Sequence, residues 1–114
     1  MITLTCLVVD DEPLALELME AYVKRTPFLE LKGSCSNALE ALAILQKDPV
    51  DLLFLDIQMP ELNGLELSRL VGDKVKIIFT TAFEQYALEG FKVDALDYLL
   101  KPISYPEFLR AAPK

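Results

Sequence analysis

Histidine and tryptophan are absent from this 114-residue chain, and only four glycines and two cysteines are present. Without an imidazole, histidine-based proton transfer and most zinc centres are excluded. Cys6 and Cys35 lie far apart, in apolar or strand-like surroundings and without CxxC spacing. Two buried free thiols are the plain reading, with a disulfide or redox pair as the alternative. No apolar run approaches the roughly 18 residues of a membrane span. The short apolar run at residues 7–9 stops at two aspartates, with no basic flank or small-residue cleavage site, so it is not a signal peptide. Positive charge is scarce too: 11 Lys and Arg stand against 18 Asp and Glu, for a net charge of −7. That argues against direct binding of nucleic acid or an anionic membrane, which requires clustered cations. With 53% hydrophobic and 25% charged residues, the length and composition fit one globular domain with a single core.

Short apolar runs alternate with amphipathic stretches. Residues 4–9 are strand-like, and Glu12 and Pro13 open a helix with proline at its first position. Leu14, Leu18 and Tyr22, with Ala15 and Met19 beside them, recur at helical spacing, opposite Glu17, Glu20 and Lys24. Thr26 and Pro27 end that helix, and residues 29–33 alternate like an edge strand. Asn37 and Glu40 have the spacing of an N-cap with a reciprocal partner, and Leu39, Leu42 and Leu45 line one face of the helix that follows. The unbroken apolar run 52–55, bounded by Asp51 and Asp56, predicts a central parallel strand covered on both faces. Further strands are expected at 75–80 and 96–100, with helices at 65–71, 83–91 and from Pro106 to Ala112. Five β-then-α repeats give an α/β doubly wound, flavodoxin-like fold, a five-stranded parallel sheet of order 2-1-3-4-5 with helices on both faces. The last helix is cut short near Pro113, so the chain, residues 1–114, reads as one domain excised from a longer protein.

In such a sheet, ligands bind beyond the carboxyl ends of the strands, at the switch in strand order. The first strand ends at Asp10 and Asp11, the third at Asp56, the fourth at Thr80 and Thr81, and the fifth at Lys101 and Pro102. Three carboxylates from neighbouring strands therefore meet in one crevice, and their repulsion requires a cation or a shared proton. All-oxygen ligands favour a hard ion, and Mg²⁺ fits best. A carboxylate beside such an ion can be a nucleophile towards phosphorus, with Lys101 neutralising charge and Thr81 donating a hydroxyl. Alone, each residue has a plainer reading: Asp10 or Asp11 as a helix cap, Asp56 before a turn, Thr81 as structural. Their joint occurrence at four strand ends carries the chemistry.

These segments, Val9-Asp10-Asp11-Glu12-Pro13, Leu55-Asp56-Ile57-Gln58-Met59-Pro60 with Gly64, Thr80-Thr81-Ala82 and Asp97-Tyr98-Leu99-Leu100-Lys101-Pro102, resemble the receiver domains of two-component response regulators over essentially the whole chain. The resemblance implies Asp56 as phosphoacceptor, with Asp11, Asp56 and the backbone carbonyl of Gln58 on Mg²⁺ and Asp10 acting mainly through water. It implies Thr81 and Lys101 on phosphoryl oxygens, Tyr98 as an aromatic switch, and a cis Lys101–Pro102 bond. Residues 83–91 and 94–98 are similar to the subfamily with a LytTR-type DNA-binding output. That implies a cytoplasmic transcription regulator that takes its phosphoryl group from a sensor histidine kinase and touches DNA only through a domain not present here. Such a chain is a signalling switch rather than an enzyme, catalysing its own phosphorylation and slow dephosphorylation. Phosphorylation is expected to draw Thr81 to the phosphoryl group, rotate Tyr98 and favour a two-fold dimer through the helix 4–strand 5–helix 5 face, where Tyr86, Phe91 and Phe108 lie. Gln58 and Phe83 are expected to flank the path of attacking water and tune the lifetime; the plainer reading has Phe83 packing on the fourth helix.

Three rivals are weaker. A dehalogenase-like phosphatase needs acids two residues apart and a cap insertion, whereas Asp10 and Asp11 are adjacent. A flavin module needs Ser, Thr or Gly after the first strand, where this chain places acids. A degenerate receiver would lack one of the acceptor, acid, hydroxyl and lysine, and all four are present.

Overall fold

A computed structural model describes residues 2–88 and 95–113. Five strands, β1 (Leu4–Val9), β2 (Leu29–Cys35), β3 (Leu52–Asp56), β4 (Lys76–Thr81) and β5 (Asp97–Leu100), form one parallel sheet in the order β2-β1-β3-β4-β5. Helices α1 (Pro13–Arg25), α2 (Ala38–Lys47), α3 (Gly64–Val71), α4 (Glu84–Leu88) and α5 (Tyr105–Ala111) complete the alternation.

Every residue of β3 is buried, and its side chains divide by parity between two cores. Leu52 and Phe54 join Met19, Tyr22 and Val23 of α1 and Phe108 of α5, with the Phe54 and Phe108 rings stacked at 4.9 Å. Leu53 and Leu55 join Ala38 and Ala41 of α2 and Leu67 of α3 on the opposite face. A continuous apolar run is what a strand needs when both faces are covered.

Several expectations shift. The inward stripe of α1 is Met19, Tyr22 and Val23; Leu14 is 81% exposed and Leu18 is also exposed, both lining an open groove shared with Pro102 and Ile103. On α2, Leu42 and Leu45 pack inward while Leu39 points out. Asn37 does accept from the Glu40 N–H at 2.9 Å, but the Glu40 carboxylate reaches the N–H and hydroxyl of Ser36, one residue earlier than a reciprocal cap. Full capping boxes stand instead at Asn63 with Glu66 and at Ser104 with Glu107. β2 runs on to Cys35, and a register slip between Cys6 and Leu7 skips Lys32. The helix expected at 83–91 starts at Glu84, and its end, with Phe91, lies outside the described residues. Phe108 is wholly buried and so belongs to the core, not to an outer face.

Candidate phosphoryl-acceptor site

The site is built where β1, β3, β4 and β5 end side by side. The register places Val9 beside Leu55 and Asp56 beside Thr80, so the residues that leave β1 and β3 turn into one crevice. There Asp10, Asp11 and Asp56 offer carboxylate oxygens that all lie within 4.8 Å of one another. Asp10 and Asp56 are buried, and Asp11 stands at the partly exposed rim. One Asp10 oxygen accepts the Glu12 N–H at 2.9 Å, tying the loop into α1. Asp10 thus lies in the pocket, while the N-cap position of α1 is Glu12 and carries no side-chain cap bond.

Lys101 enters from the end of β5, where its N–H donates to the Thr81 carbonyl at 2.7 Å and its bond to Pro102 is cis. Its ammonium lies 2.9 Å from Asp10 Oδ2, 2.6 Å from Glu12 Oε1 and 3.5 Å from Asp56 Oδ1. Burial works against that charge, but the carboxylates of Glu12, Asp10 and Asp56 outweigh it and hold the lysine above its usual range. Asp56 also moves upward, which for a carboxyl favours the neutral form. Burial, then the Asp10 charge, pushes its carboxyl up to about 8; Lys101 opposes this and Asp11 adds to it.

Asp10 Oδ2 is buried and accepts no hydrogen bond; the ammonium at 2.9 Å meets it as an ion pair without hydrogen-bond geometry. A buried oxygen of this kind, beside a carboxylate held partly protonated, fits a hard divalent cation.

The turn after β3 is tight. The Gly64 N–H donates to the Ile57 carbonyl at 2.9 Å, and a Cβ on Gly64 would stand 2.3 Å from the Asp56 carbonyl oxygen. The start of α3 therefore abuts the backbone of Asp56, and only glycine permits it.

Thr81 is fully buried and its hydroxyl donates to the Gln58 side-chain oxygen at 2.9 Å. Phe83 is 48% exposed and meets Tyr86 edge-on at 6.4 Å, which agrees with packing on α4. Tyr98 is half-buried, stacked on Phe79 at 5.1 Å. Both cysteines are free, and burial raises the thiols to about 12 for Cys6 and about 11 for Cys35, so neither is a nucleophile at neutral pH.

Residues 6–112 match the response regulator receiver domain family. The chain belongs to that family. As a receiver domain it is 46% identical over 99 residues to the transcriptional regulatory protein BtsR of Escherichia coli, an alignment covering 85% of this chain and 41% of that protein. It thus spans less than half the length of the curated relatives it matches. The response regulatory domain of mrkE from Klebsiella pneumoniae superposes with a TM-score of 0.84 at 33% identity, covering 94% of this chain and 90% of that one. TrrA from Thermotoga maritima, solved in complex with Mg²⁺ and beryllium fluoride, gives 0.81 at 31% identity and 95% coverage of both chains.

Two parts of this receiver site escaped sequence reading. Glu12, read only as a helix start, is the shortest contact of Lys101. Its place beside the acid pair was the available signal. Tyr22, read only as core, donates its hydroxyl to the Ile103 carbonyl at 2.7 Å and so ties α1 to the loop behind Lys101. Nothing in the spacing of the two residues announces that bond. Beside the crevice, Leu14, Ala15 and Leu18 of α1 face Pro102 and Ile103 across an open groove of about 420 Å³.

Proposed function

We propose that this receiver domain takes a phosphoryl group onto Asp56 from a sensor histidine kinase, with Mg²⁺ held by Asp11, Asp56 and the Gln58 carbonyl and with Asp10 acting mainly through water. The convergence of three carboxylates, two of them paired with Lys101, carries this reading. When bound, Mg²⁺ supplies the positive charge that keeps the carboxylates ionised and offsets charge on the phosphoryl oxygens. An Asp56 oxygen forms the new bond to phosphorus while the bond to the imidazole nitrogen breaks, and the leaving imidazole regains a proton. Lys101 exchanges its carboxylate partners for a phosphoryl oxygen, and Thr81 donates to a second. The domain is a switch that catalyses its own phosphorylation and slow loss of the group, not a metabolic enzyme.

A donor must approach the open mouth of the crevice, and the exposed Leu14 and Leu18 beside it offer a kinase an apolar footing. The output is a LytTR-type DNA-binding domain in the cytoplasm. The name of the transcriptional relative supports a transcriptional output, and the resemblance over residues 83–91 and 94–98 supports the LytTR type; no helix among the described residues is long and apolar enough to cross a membrane. Phosphorylation rotates Tyr98 and pairs two copies through α4, β5 and α5, where Leu96 and Leu100 are exposed.

Intact-mass measurement after incubation with acetyl phosphate and Mg²⁺ tests the chemistry. One added phosphoryl group, abolished by chelation, is expected; no addition would leave only a degenerate receiver. Size-exclusion of the beryllofluoride-treated chain tests the pairing, and a monomer at high concentration would sink it.

A further inference from the structure

A threonine hydroxyl has one proton to give. Thr81 is fully buried, and both sides of its hydroxyl are engaged: the Phe83 N–H donates to Oγ1 at 3.0 Å, and Oγ1 donates to Gln58 Oε1 at 2.9 Å. The reversed amide would point a second donor at an oxygen that already accepts one, leaving the buried proton without this acceptor. The amide oxygen therefore faces Thr81.

We propose that the Gln58 side chain competes with the phosphoryl group for the Thr81 proton and so sets how tightly the site holds its ligand. The inference rests on the reading of Asp56 as acceptor. In the resting site, the proton that a phosphoryl oxygen needs is already committed to Gln58. Engagement of the ligand breaks that bond and returns the half-exposed amide to water. The ligand gains only the difference between the two hydrogen bonds. Gln58 leaves the loop directly after β3 and Thr81 ends β4, so the bond also ties the turn after Asp56 to the start of the loop that must move. Gln58 is a positioning residue: its side chain acts through Thr81, and any role of its backbone carbonyl is separate.

Calorimetric titration with beryllofluoride in saturating Mg²⁺ reads the competition. Gln58→Met and Gln58→Ala keep the backbone and delete the acceptor. Both are expected to bind beryllofluoride more tightly than wild type, by roughly two- to tenfold, the net worth of one hydrogen bond. In a Thr81→Val background, which has no proton to compete for, the same substitutions are expected to change nothing. A lone packing effect of Gln58 would survive in that background; the competition would not. Unchanged or weaker binding by both Gln58 variants, or an equal gain with Val at position 81, overturns the proposal while the acceptor reading stands. Absence of beryllofluoride binding by the wild-type chain overturns both.

Discussion

Strand β3 begins after one aspartate and ends on another, and the two live in opposite surroundings. Asp51 is exposed, and its carboxylate accepts both the N–H and the hydroxyl of Thr5, at 2.9 and 3.0 Å, while its own N–H donates back to that hydroxyl. It is a structural clasp between β1 and β3. Asp56 is buried at the other end, among two further carboxylates and a lysine, and its carboxyl is pushed up to about 8. The same side chain on the same strand is inert at one end and charged with chemical potential at the other. Burial and neighbouring charge make the difference, not residue type.

The strongest way to break this contrast is to disturb the turn that fixes Asp56. Gly64→Ala would force a Cβ against the Asp56 carbonyl. A loss of about 3 kcal/mol or more in urea unfolding is expected, with the acceptor displaced. At Gly33 a Cβ would meet only the side-chain tips of Leu7, at 3.4 Å, and Ile44, at 3.9 Å, so Gly33→Ala should cost no more than about 1 kcal/mol. Similar costs at the two sites would mean that the turn is not constrained as described.

A smaller effect separates the aspartates directly. The folded-state pKa of Asp56 lies above its ordinary value, so its contribution to stability is present in acid and is lost as pH rises from about 4 to about 8. In Mg²⁺-free urea titrations at pH 8, Asp56→Asn is expected to stabilise the domain by about 1–3 kcal/mol, an advantage that fades towards pH 4. Asp51→Ala is expected to destabilise it by about 1–2 kcal/mol, through the unpaired Thr5 N–H. Destabilisation by Asp56→Asn at pH 8 would show that the lysine, not the acids, dominates that pocket.

Both aspartates could be read from the sequence as ends of a buried strand, and so could the strand order and the gathering of Asp10, Asp11, Asp56 and Lys101, because apolar runs and strand ends are local patterns. What was not legible depends on neighbours distant in the chain. Leu14 and Leu18 fit a helical stripe yet line an open groove beside the crevice, since periodicity gives a face but not what packs against it. The register slip beside Leu31 and the turn of Glu40 towards Ser36 leave no mark in spacing. The Thr81 bond to Gln58 joins residues 23 apart through a side-chain rotamer, and no motif encodes it.

The smallest expected effect is kinetic. Phe83 is exposed at the start of α4, within two residues of Thr81. Phe83→Glu supplies a group able to orient water and should speed loss of the phosphoryl group by about 1 kcal/mol of barrier, or several-fold. Phosphate release from pre-phosphorylated chain measures it; equal or slower release would assign Phe83 to packing on Tyr86 alone.

The contrast between the two ends of β3 is tested most directly by locating the phosphoryl group. Borohydride converts an acyl phosphate of aspartate to homoserine, which peptide mass spectrometry can place in the chain. After treatment with acetyl phosphate and Mg²⁺, homoserine is expected at residue 56 alone, with residue 51 unmodified. Homoserine at residue 51, or at residue 10 or 11 in place of 56, would contradict the claim that the buried end of β3 is where the chemistry happens.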